Sequence, residues 1–277
     1  MIVAFYGAGM LGSGFVKSLL RQGHDVHVWN RSFAKAKALE ADGARAFEDA
    51  AAAARGADYV HICVRDEAAV DAVLDAALPG IATLAPIIDH TTVNIATVAP
   101  RAARLRSAGY RFLHAPVFMG PPQAEHAQGV MLASGPRSTF DVVQPHLATM
   151  TGKLVYLGER IELAAIYKLL GNAMILAVVG GLSDVFTIAR AQGLSPSQAY
   201  ELFDFYSVEG QITGRGKRMA NGDFDPLWTL DMADKDARLM QAAAATALPV
   251  IDAVEAAMRA RVAEHLGDRD VGALAAR

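Results

Sequence analysis

At 277 residues the chain has the length of two ordinary domains or one large one, and a hydrophobic content of 53% excludes a disordered protein. A formal net charge of -3 gives no electrostatic case for nucleic acid or an anionic membrane as partner. The single cysteine, Cys63, cannot close an internal disulfide, which fits a reducing cytoplasm.

The opening MIVAFYGAG has no basic leader and runs straight into a β-type segment, Ile2 to Tyr6. GAGMLGSG follows at once, then SGFVKSLLRQ, then Gly23. That is strand, glycine turn, helix and glycine stop. Gly7, Gly9 and Gly12 form G-x-G-x-x-G around Met10 and Leu11. In this context the first glycine permits a tight turn, and the second lets a pyrophosphate approach the backbone. The third lets helix and strand pack closely, and the helix then aims its free N–H groups at the phosphates. The second strand, Asp25 to Trp29, ends in Asn30, Arg31 and Ser32, with Lys35 a turn later and no acid. An acid there would accept from the ribose hydroxyl of NAD, whereas a guanidinium suits the 2′-phosphate of NADP. The other reading of Arg31 is a solvated loop residue.

The alternation of helix and strand continues. AKAKALEADG reads as a helix stopped by Gly43, FEDAAAAARGA as an Ala-rich helix and DYVHICV as a buried strand. Cys63 in that run reads as a small core residue rather than a nucleophile. Val64 and Arg65 follow it, at the edge of the sheet where ligands bind. EAAVDAVLDAAL is helical, and APIIDHTTVN is a strand that ends in Thr91 and Thr92. These threonines either face the nicotinamide half of a cofactor or cap the next helix. VAPRAARLRSAG, YRFLHAPVF, VMLASG, a helix near Thr139 to Met150, and KLVYLG complete this half.

After Gly158 the strands stop. The run from Leu163 to Ser183 reads as a helix with almost no polar face, carrying only Tyr167, Lys168 and Asn172 as strongly polar side chains. Its uncharged stretch, bracketed by Lys168 and Asp184, is short for a membrane span, so the expectation is a buried helix of a soluble protein. Lys168 and Asn172 project from one face, and a buried ammonium beside a carboxamide reads as a site. The alternative is a lysine that snorkels to the surface. Ser195 and Pro196 then start another helix, an irregular polar stretch follows, and two helices begin near Asp231 and Pro249. The expected division is an α/β domain over 1–158 and an all-α domain over 159–277.

Six segments together resemble the β-hydroxyacid dehydrogenases, which include 3-hydroxyisobutyrate dehydrogenase and the glyoxylate/succinic semialdehyde reductases. They are FYGAGMLGSG, WNRS, DHTTVN, HAPVFMG, YKLLGN and FDPLWTLDMADKDARLM. The resemblance implies an N-terminal Rossmann domain that binds NADP, a helical substrate and dimerisation domain, and a cytoplasmic homodimer. The substrate it implies is a small aldehyde, keto acid or β-hydroxy acid. It implies Lys168 as general acid and base, Asn172 as a hydrogen-bond partner of the substrate, and Lys235 beside nicotinamide and substrate. Phe118, Met119 and Gly120 fall on the family's substrate loop. Three positions depart from the pattern. Phe118 and Met119 stand where a serine and a glycine usually bind the substrate carboxylate, Gly171 replaces the first asparagine of the catalytic segment, and His114 replaces an aspartate.

Two rival readings remain. Imine reductases share the fold and the N-R-S/T turn but often place Asp or Tyr where Lys168 stands, and the hydrophobic loop around Phe118, Met119, Pro121 and Pro122 keeps that option open. A non-catalytic nucleotide-binding module is the other, against which Lys168 and Asn172 argue. No metal is expected: His24 and His27 lack further ligands at metal spacing, and His61, His90 and His114 lie in or beside β runs.

Overall fold

The first strand, β1 (Ile2–Tyr6), is apolar on both faces, and the computed structural model, which describes residues 1–276, puts it in the middle of a sheet. Val3 and Phe5 enter one buried cluster, while Ala4 and Tyr6 enter the other on the opposite face. A strand covered on both sides by helices needs this continuous apolar run. β1 leads into helix α1 (Met10–Arg21), strand β2 (Asp25–Trp29), helix α2 (Phe33–Ala38) and strand β3 (Arg45–Phe47). Helix α3 (Ala50–Ala54), strand β4 (Tyr59–Ile62), helix α4 (Glu67–Ala77), strand β5 (Ile87–Asp89), helix α5 (Ile95–Ser107) and strand β6 (Phe112–His114) follow. The six strands pair in parallel in the order β3-β2-β1-β4-β5-β6. Chain order therefore reverses beside β1, between β2 and β4, which is where ligands bind in such sheets.

The remaining strands of this half form a small second sheet. Strand β7 (Val117–Phe118) pairs antiparallel with β8 (Val130–Ala133), which pairs parallel with β9 (Lys153–Tyr156); helices α6 (Pro121–Glu125) and α7 (Arg137–Ala148) lie between them in the chain. The apolar run YRFLHAPVF is thus divided between two sheets, broken at Ala115 and Pro116.

One local expectation fails. Phe47 does not belong to the Ala-rich helix; it ends β3, and Asp49 caps the helix by accepting from the Ala51 N–H at 3.0 Å. Three residues rich in helix formers carry no strand signal of their own, and the pairing of β3 with β2 decides their conformation.

Helix α8 (Leu163–Ala191) is continuous over 29 residues, and the two compact units of the chain, Met1–Asn172 and Ala173–Arg277, divide within it. The second unit continues with α9 (Pro196–Tyr200), capped by Ser195 Oγ from the Gln198 N–H, then α10 (Lys217–Ala220), α11 (Leu230–Ala244) and α12 (Pro249–Ala263). Its core joins Leu230, Ala233 and Ala237 of α11 to Met258 of α12 and to Ala273. Asp184 of α8 accepts from the Val250 and Ile251 N–H groups at the start of α12, both at 2.9 Å.

The expected burial of the apolar helix is not met within one chain. α8 is long and apolar enough to span a membrane, at a mean hydropathy of 1.8, and only 11% of that window is buried. Leu170 is 59% exposed, Leu176 72% and Val179 59%. The physical reason is that the core of the second unit is made by α11, α12, Phe224, Trp228, Leu266 and residues 271–276, and among the described residues it includes no side chain of α8. Asp184, by contrast, is buried and hydrogen-bonded to protein backbone.

Candidate functional site

The carboxyl ends of β1, β2 and β4 open into a cavity of about 680 Å³. Gly7 closes the turn at φ +114°, and a Cβ there would stand 2.0 Å from the carbonyl oxygen of Cys63. A Cβ at Gly12 would meet the Gly7 carbonyl at 1.9 Å, so no side chain fits at either position. Nothing lies within 4 Å of a Cβ at Gly9, which caps α1 without a side-chain bond. The first amides of α1 are thus presented to a ligand rather than to the protein.

Asn30 ties the glycine turn to the cofactor turn. Its Oδ1 accepts from the Ala8 N–H at 3.0 Å and its Nδ2 donates to the Ser32 carbonyl at 2.9 Å. Arg31 and Lys35 are exposed on the cavity rim and form no ion pair among the described residues. Arg65 is instead engaged, its Nε 2.7 Å from Asp66. The cavity therefore offers backbone donors at one end and two uncommitted cations with the Ser32 hydroxyl at the other. That donor set fits a dinucleotide bearing an additional phosphate.

The structure brings together on this cavity Gly7, Gly9, Met10, Leu11, Gly12, Asn30, Arg31, Ser32, Lys35, Val64 and Arg65. Thr92 is exposed and does not line it, while Thr91 is buried and its Oγ1 accepts from the Val64 N–H at 3.2 Å. Lys235 lies on α11 in the second unit, its ammonium 2.9 Å from Asp236. Trp29, Cys63 and the α4 residues Ala69, Ala72 and Val73 also line the cavity, Cys63 packing against the core as well. The α4 alanines had no signal to offer, because an alanine on a helix reads the same beside a ligand or a core. Burial pushes the Cys63 thiol up to about 12, so it is no nucleophile at neutral pH.

Lys168 is held by the start of α8. Ser134, just beyond β8, accepts the Ala164 N–H at 3.0 Å and donates to the Ile161 carbonyl at 2.6 Å, so a side chain from the small sheet caps the helix. Lys168 is half-buried, and burial lowers its pKa from the ordinary lysine value. Among the described residues it has no carboxylate or hydrogen-bond partner, and its Nζ lies 4.2 Å above the centroid of the Phe118 ring. Met119 is half-buried and packs on the first core, and Gly120 caps α6. A half-buried ammonium with its donors uncommitted can give a proton to an oxygen placed beside it.

Residues 2–158 match the family described as the NAD binding domain of 6-phosphogluconate dehydrogenase, and residues 164–277 that described as NAD-binding of NADP-dependent 3-hydroxyisobutyrate dehydrogenase. Glyoxylate/succinic semialdehyde reductase 1 of Arabidopsis thaliana is 28% identical, over 99% of this chain and 97% of its own. The structure of an imine reductase from Myxococcus stipitatus in complex with NADP+ superposes with a TM-score of 0.91 at 20% identity, covering 99% of this chain and 98% of that one. A reductive aminase from Aspergillus terreus, in complex with NADPH and ethyl levulinate, gives 0.89 at 22% identity, covering 98% and 97%. At these identities the structural likenesses are likenesses of fold.

Proposed function

The chain belongs to the NAD(P)-dependent oxidoreductase family of the 6-phosphogluconate and 3-hydroxyisobutyrate dehydrogenases, and within it we propose an NADPH-dependent reductase of small carbonyl compounds with Lys168 as its proton donor. The observation that carries the reading is the state of Lys168: half-buried, unpaired among the described residues, and lowered in pKa by burial. The cofactor supplies the hydride. The glycine turn and the α1 amides would hold its pyrophosphate, and Arg31, Ser32 and Lys35 its additional phosphate. Hydride addition builds negative charge on the carbonyl oxygen, and Lys168 would meet that charge with a proton while Asn172, one turn on, hydrogen-bonds the substrate. Thr92 and Lys235 keep a part in the cofactor half on the family resemblance alone. Imine reduction is the second reading, favoured by the fold likeness to imine reductases and by the apolar wall at Phe118. A panel of aldehydes, keto acids and cyclic imines with NADPH separates the two: turnover confined to imines would displace the carbonyl reading.

NADPH is expected to be preferred over NADH. Arg31→Asp should weaken NADPH binding by about 1–2 kcal/mol, the worth of a charge-assisted hydrogen bond. Fluorescence titration of both cofactors checks this, and equal affinity for the two in the unchanged protein would contradict it.

A homodimer is expected as well. The exposed apolar side chains of α8, Leu170, Ile175, Leu176 and Val179 among them, form a surface that a soluble chain rarely leaves in water. A second copy of the helical half would cover it, in the cytoplasm that the lone thiol of Cys63 suits. Light scattering at micromolar concentration should give twice the chain mass; the mass of a single chain would count against this assembly.

A further inference from the structure

Three observations in the first unit meet at one aromatic ring. The tip of the Phe118 ring fills the gap on α8 at Gly171, where a Cβ would stand 2.3 Å from Cζ and 2.6 Å from Cε1. Lys168, on the same helix face three residues earlier, lays its ammonium over that ring at 4.2 Å from the centroid. The segment after the ring is poor in free donors. The Gly120 N–H is taken by Gln123 Oε1 at 2.7 Å, Pro121 and Pro122 have no N–H, and the Phe118 and Met119 side chains donate nothing.

We propose that Phe118, locked against Gly171, is a specificity-determining residue that fits the site to uncharged carbonyl compounds and turns away those bearing a carboxylate. The inference rests on the reading of the chain as a carbonyl reductase. A carboxylate brought against this wall gives up its water and receives no hydrogen bond from the Phe118 or Met119 side chain in return. The electron-rich face of the ring opposes it further. The cation at the ring is Lys168, and a carboxylate that pairs with that ammonium occupies the group needed at the carbonyl oxygen. An aldehyde or ketone with an uncharged, apolar substituent meets none of these obstacles and packs on the ring instead. The ring face also holds the ammonium through its quadrupole without consuming a hydrogen-bond donor, so the proton stays available.

The test compares 4-oxobutanoate with its methyl ester, using NADPH and the full-length protein. The ester should be reduced with kcat/KM at least about 10²-fold higher, and the F118S/M119G variant should narrow that ratio at least tenfold by raising turnover of the acid. Preference for the acid, or a ratio that F118S/M119G leaves unmoved while the ester is still reduced, overturns this inference and leaves the reductase reading standing. NADPH binding with no turnover of either compound overturns the reductase reading, and the inference with it. A second measurement needs no activity. Gly171→Ala should lower the melting temperature and F118A/G171A should regain part of the loss, because the small residue removes the clash; a G171A protein that melts with the wild type shows that the ring is not locked there.

Discussion

Lys168→Met loses between about 10² and 10⁴ in reductive turnover, the usual worth of a positioned proton donor, and keeps its affinity for NADPH. The two effects separate because the cavity that fits the dinucleotide is built from β1, β2, β4, α1, α2 and α4 and does not include Lys168. A donor must also be protonated to act. Because burial lowers the Lys168 pKa, reductive turnover falls on the alkaline side at a lower pH than an ordinary lysine would set. The methionine variant removes that limb along with the rate. Stability should not fall with it: methionine fills the volume over the Phe118 ring and takes an unpaired half-buried charge out of the protein. Tyr167 is the control. It precedes Lys168 on the helix, points about 100° away and is half exposed. Near-normal turnover by Lys168→Met together with loss of turnover by Tyr167→Phe would move the chemistry to the tyrosine.

The cofactor half was legible in the sequence because its requirements are local. Gly7 and Gly12 are there since a Cβ at either would strike backbone, and that constraint follows from a turn of six residues. Asn30 reads as a ligand from its place after β2, and the structure adds that it stitches the two turns together through Ala8 and Ser32. The long helix was legible as a helix but not in its surroundings. Periodicity reports an apolar surface and is silent on whether the cover comes from the same chain. The ring of Phe118 on Gly171 was beyond reach for another reason. In the sequence Phe118 and Gly171 are two separate departures from the family pattern, and only the fold brings residues 53 apart into one contact whose two halves explain each other.

Acid should destabilise the first unit steeply below about pH 6.5, through three histidines that no part of the reaction uses. His61, His90 and His146 are buried in a row. His90 Nδ1 lies 2.7 Å from the Ala115 carbonyl, His61 Nδ1 2.9 Å from His90 Nε2, and His146 Nε2 2.9 Å from His61 Nε2. A carbonyl can only accept, so His90 carries its hydrogen on Nδ1. His61 then donates to His90, and His146 donates to His61. This chain uses one hydrogen per ring. A second on His61 or His90 would point at another N–H, and one on His146 Nδ1 would have no partner among the described residues. Burial first, and the neighbouring imidazoles after it, hold His61 well below the ordinary value and His146 at about 3; His90 is lowered to about 4 by burial, against the pull of the nearby Asp89 carboxylate. The other charges facing the row are His24 and the N-terminal amine, which oppose further positive charge, and His114 beside Asp89. Since all three folded values lie below that of an unfolded histidine, stability is whole above about pH 6.5 and is lost as the pH falls toward the folded values. Three protons taken up only by the unfolded chain set a slope of at most about 4 kcal/mol per pH unit, so two units below pH 6.5 remove up to about 8 kcal/mol, a large share of a typical folding free energy. Urea unfolding of the first unit at pH 7.5, 6.5, 5.5 and 5 should show a flat stability above 6.5 and a steep decline below it. His146→Leu, which removes one of the three sites, should make the decline shallower by about one proton even though it leaves His61 Nε2 without its donor. Equal stability at pH 7 and pH 5 in the unchanged protein would mean that the row accepts protons in the folded state, and that its hydrogens do not run in the single direction the geometry requires.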